Sequence, residues 1–190
     1  RVSSSAASDV YKRQDKRGLS NIKAFRMDVN KLDLNKQFDR IVSIEMFEHL
    51  RNYKLILNSL NNALKLDGRL FIHIFCNKKL TYFYEMKNNL DWMTKYFFQG
   101  GIMPSKDIFQ YFEDELEIIN QWDINGNHYS KTCKAWLNNH YKNKKKILDI
   151  FDKHYEEPKI WFNRWRIFFL SCEAFFGLNN GEEYLVSHYL

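Results

Sequence analysis

The sequence predicts an α/β fold, with helices packed on a sheet, and three observations carry that prediction. Residues 38–44, FDRIVSI, and 69–75, RLFIHIF, are apolar runs of strand length. Between them, residues 52–65 place apolar side chains at helical spacing, so strand, helix and strand follow with short connections. That order is a βαβ unit, with parallel strands and a right-handed crossover. Finally, only 7 Gly and 2 Pro argue against a turn-rich all-β design, while 45% hydrophobic and 17% aromatic residues exclude disorder.

In chain order, residues 22–27 alternate as a short strand ending in Asp28-Val29-Asn30, followed by a polar loop to Gln37. In the strand 38–44 the run Ile41-Val42-Ser43-Ile44 reads as buried on both faces, as central parallel strands are. Asn52 is a helix cap, and Leu55, Leu57, Leu60, Ala63 and Leu64 are expected to face inward. Asp67-Gly68 is a turn before the strand 69–75. Residues 79–98 read as a helical, aromatic-rich insert. Residues 100–104 read as a loop, and Ser105 as the cap of a short helix to Phe112. A strand is predicted over 117–125, helices over 128–140, 144–154 and 159–176, and a last strand over 183–190.

Composition bounds the function. With 190 residues the chain suits one domain with a sizeable core. Its net charge is +6, of which Arg1, Lys12 and Arg13 against Asp9 contribute +2, leaving +4. The one dense basic run, Lys142 to Lys146, reads as a solvated helix start, so no nucleic-acid partner is expected. Cys76, Cys133 and Cys172 form no CxxC pair, which suits a reducing cytoplasm and gives neither a disulfide framework nor a zinc site. The apolar stretch near 165–176 holds Arg166 and Glu173 and is too short to span a bilayer. Residues 9–14, DVYKRQ, are what GAT GTG TAT AAG AGA CAG encodes, the end of a transposon adapter used in sequencing libraries. Residues 1–14 are therefore expected to be adapter-derived, and 15–190 a partial domain.

The chemistry-bearing residues gather at strand ends, where open α/β sheets bind ligands. A helical turn places Glu45, Glu48 and His49 on one face. Such a trio serves as metal ligands, as a salt-linked helix start, or as an acid/base site whose carboxylates shift one another's pKa. The spacing matches neither the Glu-x-x-His di-iron pattern nor a zinc motif, so no metal is expected. His73 interrupts an apolar strand, either as a satisfied core residue or as part of the same site. Asp28 ends a strand, either as a loop start or as an acceptor for an adenine amine or a ribose hydroxyl. Tyr129 opens a helix after the polar turn 125–127 and suits a site wall or packing.

The segments FDRIVSIEMFEHLRNY, LDGRLFIHIF, DWMTKYFFQGGIMPS, NGNHYSKTCKAW and the terminal SHYL closely resemble one family across residues 15–190. It is the cyclopropane fatty acyl phospholipid synthase group of methyltransferases, especially its coclaurine N-methyltransferase-like branch. The resemblance implies the C-terminal part of a Rossmann-like seven-strand sheet, S-adenosylmethionine as methyl donor, and a helical substrate cap. It implies cofactor-binding roles for Asp28, Val29, Ser43, Ile44 and Glu45. Glu48 and His49 match the active-site pair of the amine branch. Glu48, His73 and Tyr129 match positions that hold a bicarbonate base in the lipid-modifying branch. The Glu45-Met46 pair looks more like the amine branch.

The implied activity is methyl transfer to the amine nitrogen of a small molecule. The alternative is methylenation of an unsaturated phospholipid, and an inactive scaffold is the non-enzymatic reading. No GxGxG is present in the chain, and the family's glycine-rich cofactor loop lies upstream of the matched segments. The 190 residues alone are therefore expected not to bind the cofactor, and the strand 38–44 is expected to form an exposed apolar edge.

Overall fold

A computed structural model describes residues 13, 14, 16–23, 27–29, 32 and 36–190, and the chain divides into two units, Arg1–Lys36 and Gln37–Leu190. In the first, the Gln14 side-chain amide donates to the carbonyls of Leu19 and Ile22. The predicted strand 22–27 lies partly outside the described residues. Its described members, Ile22, Lys23 and Met27, carry no strand.

The second unit is built on a four-stranded sheet in the order β1-β2-β6-β5. Strand β1 (Phe38–Ile44) runs parallel to β2 (Leu64–Asn77), joined through helix α1 (Tyr53–Asn62), as the βαβ reading requires. Strand β6 (Tyr184–Tyr189) lies antiparallel between β2 and β5 (Gln121–Ile124). A two-stranded ribbon, β3 (Tyr82–Phe83) with β4 (Ile102–Met103), adjoins the end of β2. Helices α2 (Asn127–Lys142), α3 (Lys144–Phe151) and α4 (Pro158–Gly177) complete the unit, with Pro158 in the first turn of α4, where its missing N–H leaves no bond unmade.

Helix α1 forms because Asn52 accepts the Leu55 N–H at 3.2 Å and the apolar face repeats at Tyr53, Ile56, Leu57 and Leu60. That face is one residue out of phase with the expectation at Leu55, which is 50% exposed. Ala63 and Leu64 are buried, but at the helix cap and in β2. The Asp67-Gly68 turn is absorbed into β2 as an irregularity, its pairing with β1 jumping from Leu64 opposite Phe38 to Arg69 opposite Arg40.

Three further expectations are corrected. Val42 and Ile44 are each 61% exposed, so β1 is not buried on both faces. Among the described residues β1 has one ladder partner, β2, and is the sheet edge. Residues 79–98 are mostly not helical; helical turns are confined to 92–98, where Thr94–Phe98 form a π-helix. The reason is local. Asp91 accepts the N–H groups of Lys87 and Asn88, at 2.7 and 2.9 Å, and Asn88 accepts that of Leu90, at 2.8 Å. These side-chain bonds take backbone donors that a helix needs. Ser105 does not cap a helix either. Its N–H donates to Thr81 Oγ1, and the 3-10 turn Ile108–Phe112 follows Asp107.

The two sheet faces differ in what covers them. On one, Ile72, Ile74, Cys76, Leu185 and Tyr189 are buried. There the Tyr189 ring meets Phe109, which stacks on Tyr53 of α1. On the other, Phe75 and Val186 pack with Met103 and with Phe176 of α4. Gly126, before α2, fits only as glycine: an added Cβ would stand 2.1 Å from the Tyr184 carbonyl.

Candidate active site

The end of β1 turns sharply at Glu45, whose backbone is left-handed at φ 51°. A non-glycine residue there stores strain, and such positions cluster at functional sites. The Glu45 N–H donates to the His73 carbonyl at 3.0 Å, which fixes the turn against β2. The side chain then folds back between two partners. His73 Nε2 lies 3.0 Å from Oε1, at ion-pair distance but without hydrogen-bond alignment. Tyr129 O–H donates to Oε2 at 3.5 Å.

The chain continues into a 3-10 turn, Phe47–His49, that buries Glu48 to 1% exposure. The turn is anchored by Tyr53, whose hydroxyl donates to the Phe47 carbonyl at 3.0 Å. His49 Nε2 is 3.8 Å from Glu48 Oε1, its ring lies over Phe98, and Glu48 Oε2 has no partner. Burial, followed by the charge of Glu45, pushes the Glu48 carboxyl up to about 8. Burial also raises Glu45, against the opposing bond from Tyr129. It lowers both His49 and His73. The turn is thus a cluster of acids and imidazoles all biased toward neutral forms, the condition for proton exchange near neutral pH.

Beside it lies an apolar cavity of about 140 Å³, lined by Tyr84, Phe98, Tyr129, Trp136, Phe168 and Phe176, among others. Tyr129 and Phe98 belong to both places: one bonds Glu45, the other stacks under His49. A second cavity, of about 240 Å³, lies elsewhere on the sheet, between Leu64, Gly68, Ile119 and Tyr189. It has no histidine or buried acid in its wall.

The structure therefore brings Glu45, Glu48, His49, His73 and Tyr129 together. Ser43 is buried with its hydroxyl unpartnered, whereas Ile44 presents an exposed side chain. Asp28 and Val29 belong to the other unit and are described apart from this cluster. Among the described residues no group of His, Cys, Asp and Glu is arranged to hold a metal ion. Sequence reasoning missed His188, whose Nε2 is 2.9 Å from His73 Nδ1. Its signal was the alternation of β6, readable only once β6 is known to pair with β2. Cys133 and Cys172, remote in sequence, meet on the cavity wall.

The model of the mycolic acid cyclopropane synthetase family matches residues 2–184. The chain belongs to that family. Members of this kind are S-adenosylmethionine-dependent methyltransferases, and several relatives of this synthetase-family chain are named as N-methyltransferases. It is 37% identical over 177 residues to (S)-coclaurine N-methyltransferase of Papaver somniferum, covering 90% of this chain and 50% of that protein. It is 33% identical over 128 residues to cyclopropane-fatty-acyl-phospholipid synthase of Escherichia coli K12, covering 65% of this chain and 32% of that one. A crystal structure of coclaurine N-methyltransferase bound to N-methylheliamine and SAH superposes with a TM-score of 0.90 at 34% identity, covering 98% of this chain and 57% of that chain. This synthetase-family chain spans about half the length of the coclaurine relative it matches.

Proposed function

We propose that this chain carries the methyl-acceptor side of an S-adenosylmethionine-dependent methyltransferase whose substrate presents an amine nitrogen on a small aromatic body. The observation that carries the reading is Glu48, buried beside Glu45 against an aromatic cavity, with its carboxyl pushed up to about 8. An amine attacks only when neutral, so its site needs a group that takes a proton near neutral pH. A buried carboxyl raised to that range does so. The apolar walls suit an aromatic body, and the carboxylates suit an ammonium group arriving with it.

Fit of the cofactor rests on unpartnered polar atoms. Ser43 Oγ and Glu45 Oε1 lack hydrogen-bond partners at the carboxyl end of β1, where they suit the ammonium of a methionine group. We assign these, with the Ile44 backbone, to holding it. When bound, S-adenosylmethionine supplies an electrophilic sulfonium methyl. This chain's own residues then position and deprotonate the acceptor. Glu48, with Glu45 beside it, takes the amine proton and His49 orients it, while Tyr129 bonds the Glu45 carboxyl and His73 faces it. Much of the rate follows from fixing the nitrogen at near-attack distance.

Bicarbonate does not fit. The Glu45 carboxyl already stands between His73 and Tyr129 and takes up the contacts that would hold the ion. The amine reading is tested on protein expressed from the whole reading frame, with labelled S-adenosylmethionine offered to arylalkylamines and, in parallel, to vesicles of unsaturated phospholipid. Label is expected in the amines. Label in the vesicle lipid with none in the amines would overturn the reading.

A further inference from the structure

Among the described residues, His188 is the one in hydrogen-bond contact with the site's side chains to which neither the candidate site residues read from the sequence nor the proposed chemistry gives a role. It sits in β6 directly opposite His73 of β2, so the antiparallel pairing points both rings to the same sheet face. Their ring nitrogens, His73 Nδ1 and His188 Nε2, are 2.9 Å apart. At the far side of the His73 ring, Nε2 is 3.0 Å from Glu45 Oε1. One imidazole therefore bridges a carboxylate and a second imidazole, and the second is only half-buried. Two aromatic residues adjoin His188. Phe71 of β2 lies 5.3 Å away between ring centres, and Trp122 of β5 is its register partner. Asp123, next along β5, bonds Ser187 at 2.7 Å. Among the described residues the charge that acts on His188 is that of His73.

Resting on the amine reading above, we propose that His188 is a positioning residue for His73 and the outer end of a proton path, Glu45–His73–His188, from the acceptor site to solvent. In the starting state His73 donates from Nδ1–H to His188 Nε2, leaving Nε2 of His73 open toward Glu45. A proton released by the amine and carried on the Glu45 carboxyl passes to His73 Nε2. The Nδ1 proton of His73 passes to His188 Nε2, and His188 releases its own Nδ1 proton to water. One proton enters, one leaves, and the Glu45 carboxylate is restored. The rings then return to their starting tautomers by exchange with solvent, which reaches both.

Two readouts test this, one of them independent of activity. Histidine ring resonances of the 190-residue chain are followed by NMR across pH 4–9. His73 and His188 are expected to titrate as a coupled pair in two steps. In His188→Phe the His73 titration should become a single step with a moved midpoint. A His73 curve unchanged by His188→Phe overturns the contact itself. The second readout is the pH–rate profile of methyl transfer by protein from the whole reading frame. His188→Gln keeps a side-chain partner for His73 but carries no proton. It should lower kcat and shift its pH profile, with KM for the amine held. If His188→Gln matches the wild type at every pH, the proton path is wrong while the pairing stands. If the wild type methylates no amine, the path falls with the functional reading, and the titration still decides the pairing.

Discussion

Replacing Glu48 by Gln isolates the energetic cost of burying this acid. The side chain is 1% exposed and its carboxyl is raised from 4.5 to about 8 by burial and by Glu45. In the unfolded chain the group ionises near 4.5, so between that pH and about 8 the folded state holds a proton the unfolded state has lost. The sign follows: stability falls as pH rises through this window, by about 1.4 kcal/mol per unit for a single group. Near pH 7 the cost is about 3 kcal/mol, a large part of the stability of a domain of this size. Gln has the same shape and no charge, so Glu48→Gln should be the more stable protein at pH 8 and lose that advantage near pH 5. The assay is urea denaturation of both chains at several pH values, read as the difference between them. Taking the difference cancels the histidines, whose lowered pKa values act in the opposite direction below about pH 6.5. A difference that does not change with pH would refute the argument, because Glu48 would then titrate alike in both states.

Two further outcomes are expected. Gly126→Ala should destabilise the chain by about 2 kcal/mol or more, measured by thermal denaturation, because the added Cβ meets the Tyr184 and Phe176 carbonyls at 2.1 and 2.5 Å. Titration calorimetry of the 190-residue chain with S-adenosylmethionine should show no micromolar binding, since it holds no GxGxG loop; a micromolar isotherm would place the whole cofactor grip within these residues.

The βαβ core was readable because period and length agree: β1 keeps the predicted bounds, and Asn52 caps α1 as its residue type suggests. The phase of α1 was not, since Leu55 and Ile56 are equally apolar and only packing decides between them. Nor was the fate of 79–98, where a string of aromatic residues at helical spacing is overruled by the short acceptors Asn88 and Asp91. The acidic cluster was legible as spacing around one turn. It forms differently: Glu45 belongs to the strand end and reaches its partners through a left-handed backbone, while Glu48 and His49 share the 3-10 turn. His188 stayed hidden because a pair of histidines 115 residues apart becomes visible only when β6 is set beside β2.

The backbone of Glu45 yields one more prediction, in which stability and chemistry pull apart. A non-glycine residue at φ 51° costs on the order of 1 kcal/mol, and nothing in its carboxylate contacts returns much of that, since the Tyr129 bond is long and the His73 approach is unaligned. Glycine at this position removes the strain, and its loss of the Glu45 charge also eases the ionisation of Glu48. Alanine removes the same charge but keeps a Cβ in the left-handed region. Glu45→Gly should therefore exceed Glu45→Ala in stability by roughly 1 kcal/mol. Both variants should lose methyl transfer, because neither restores a carboxylate between His73 and Tyr129. Denaturation midpoints for the pair decide the first half; an alanine variant as stable as the glycine one means the turn is not strained. If the order holds, a carboxylate is kept at a backbone position that favours glycine, and what keeps it there is the chemistry of the side chain rather than the stability of the fold.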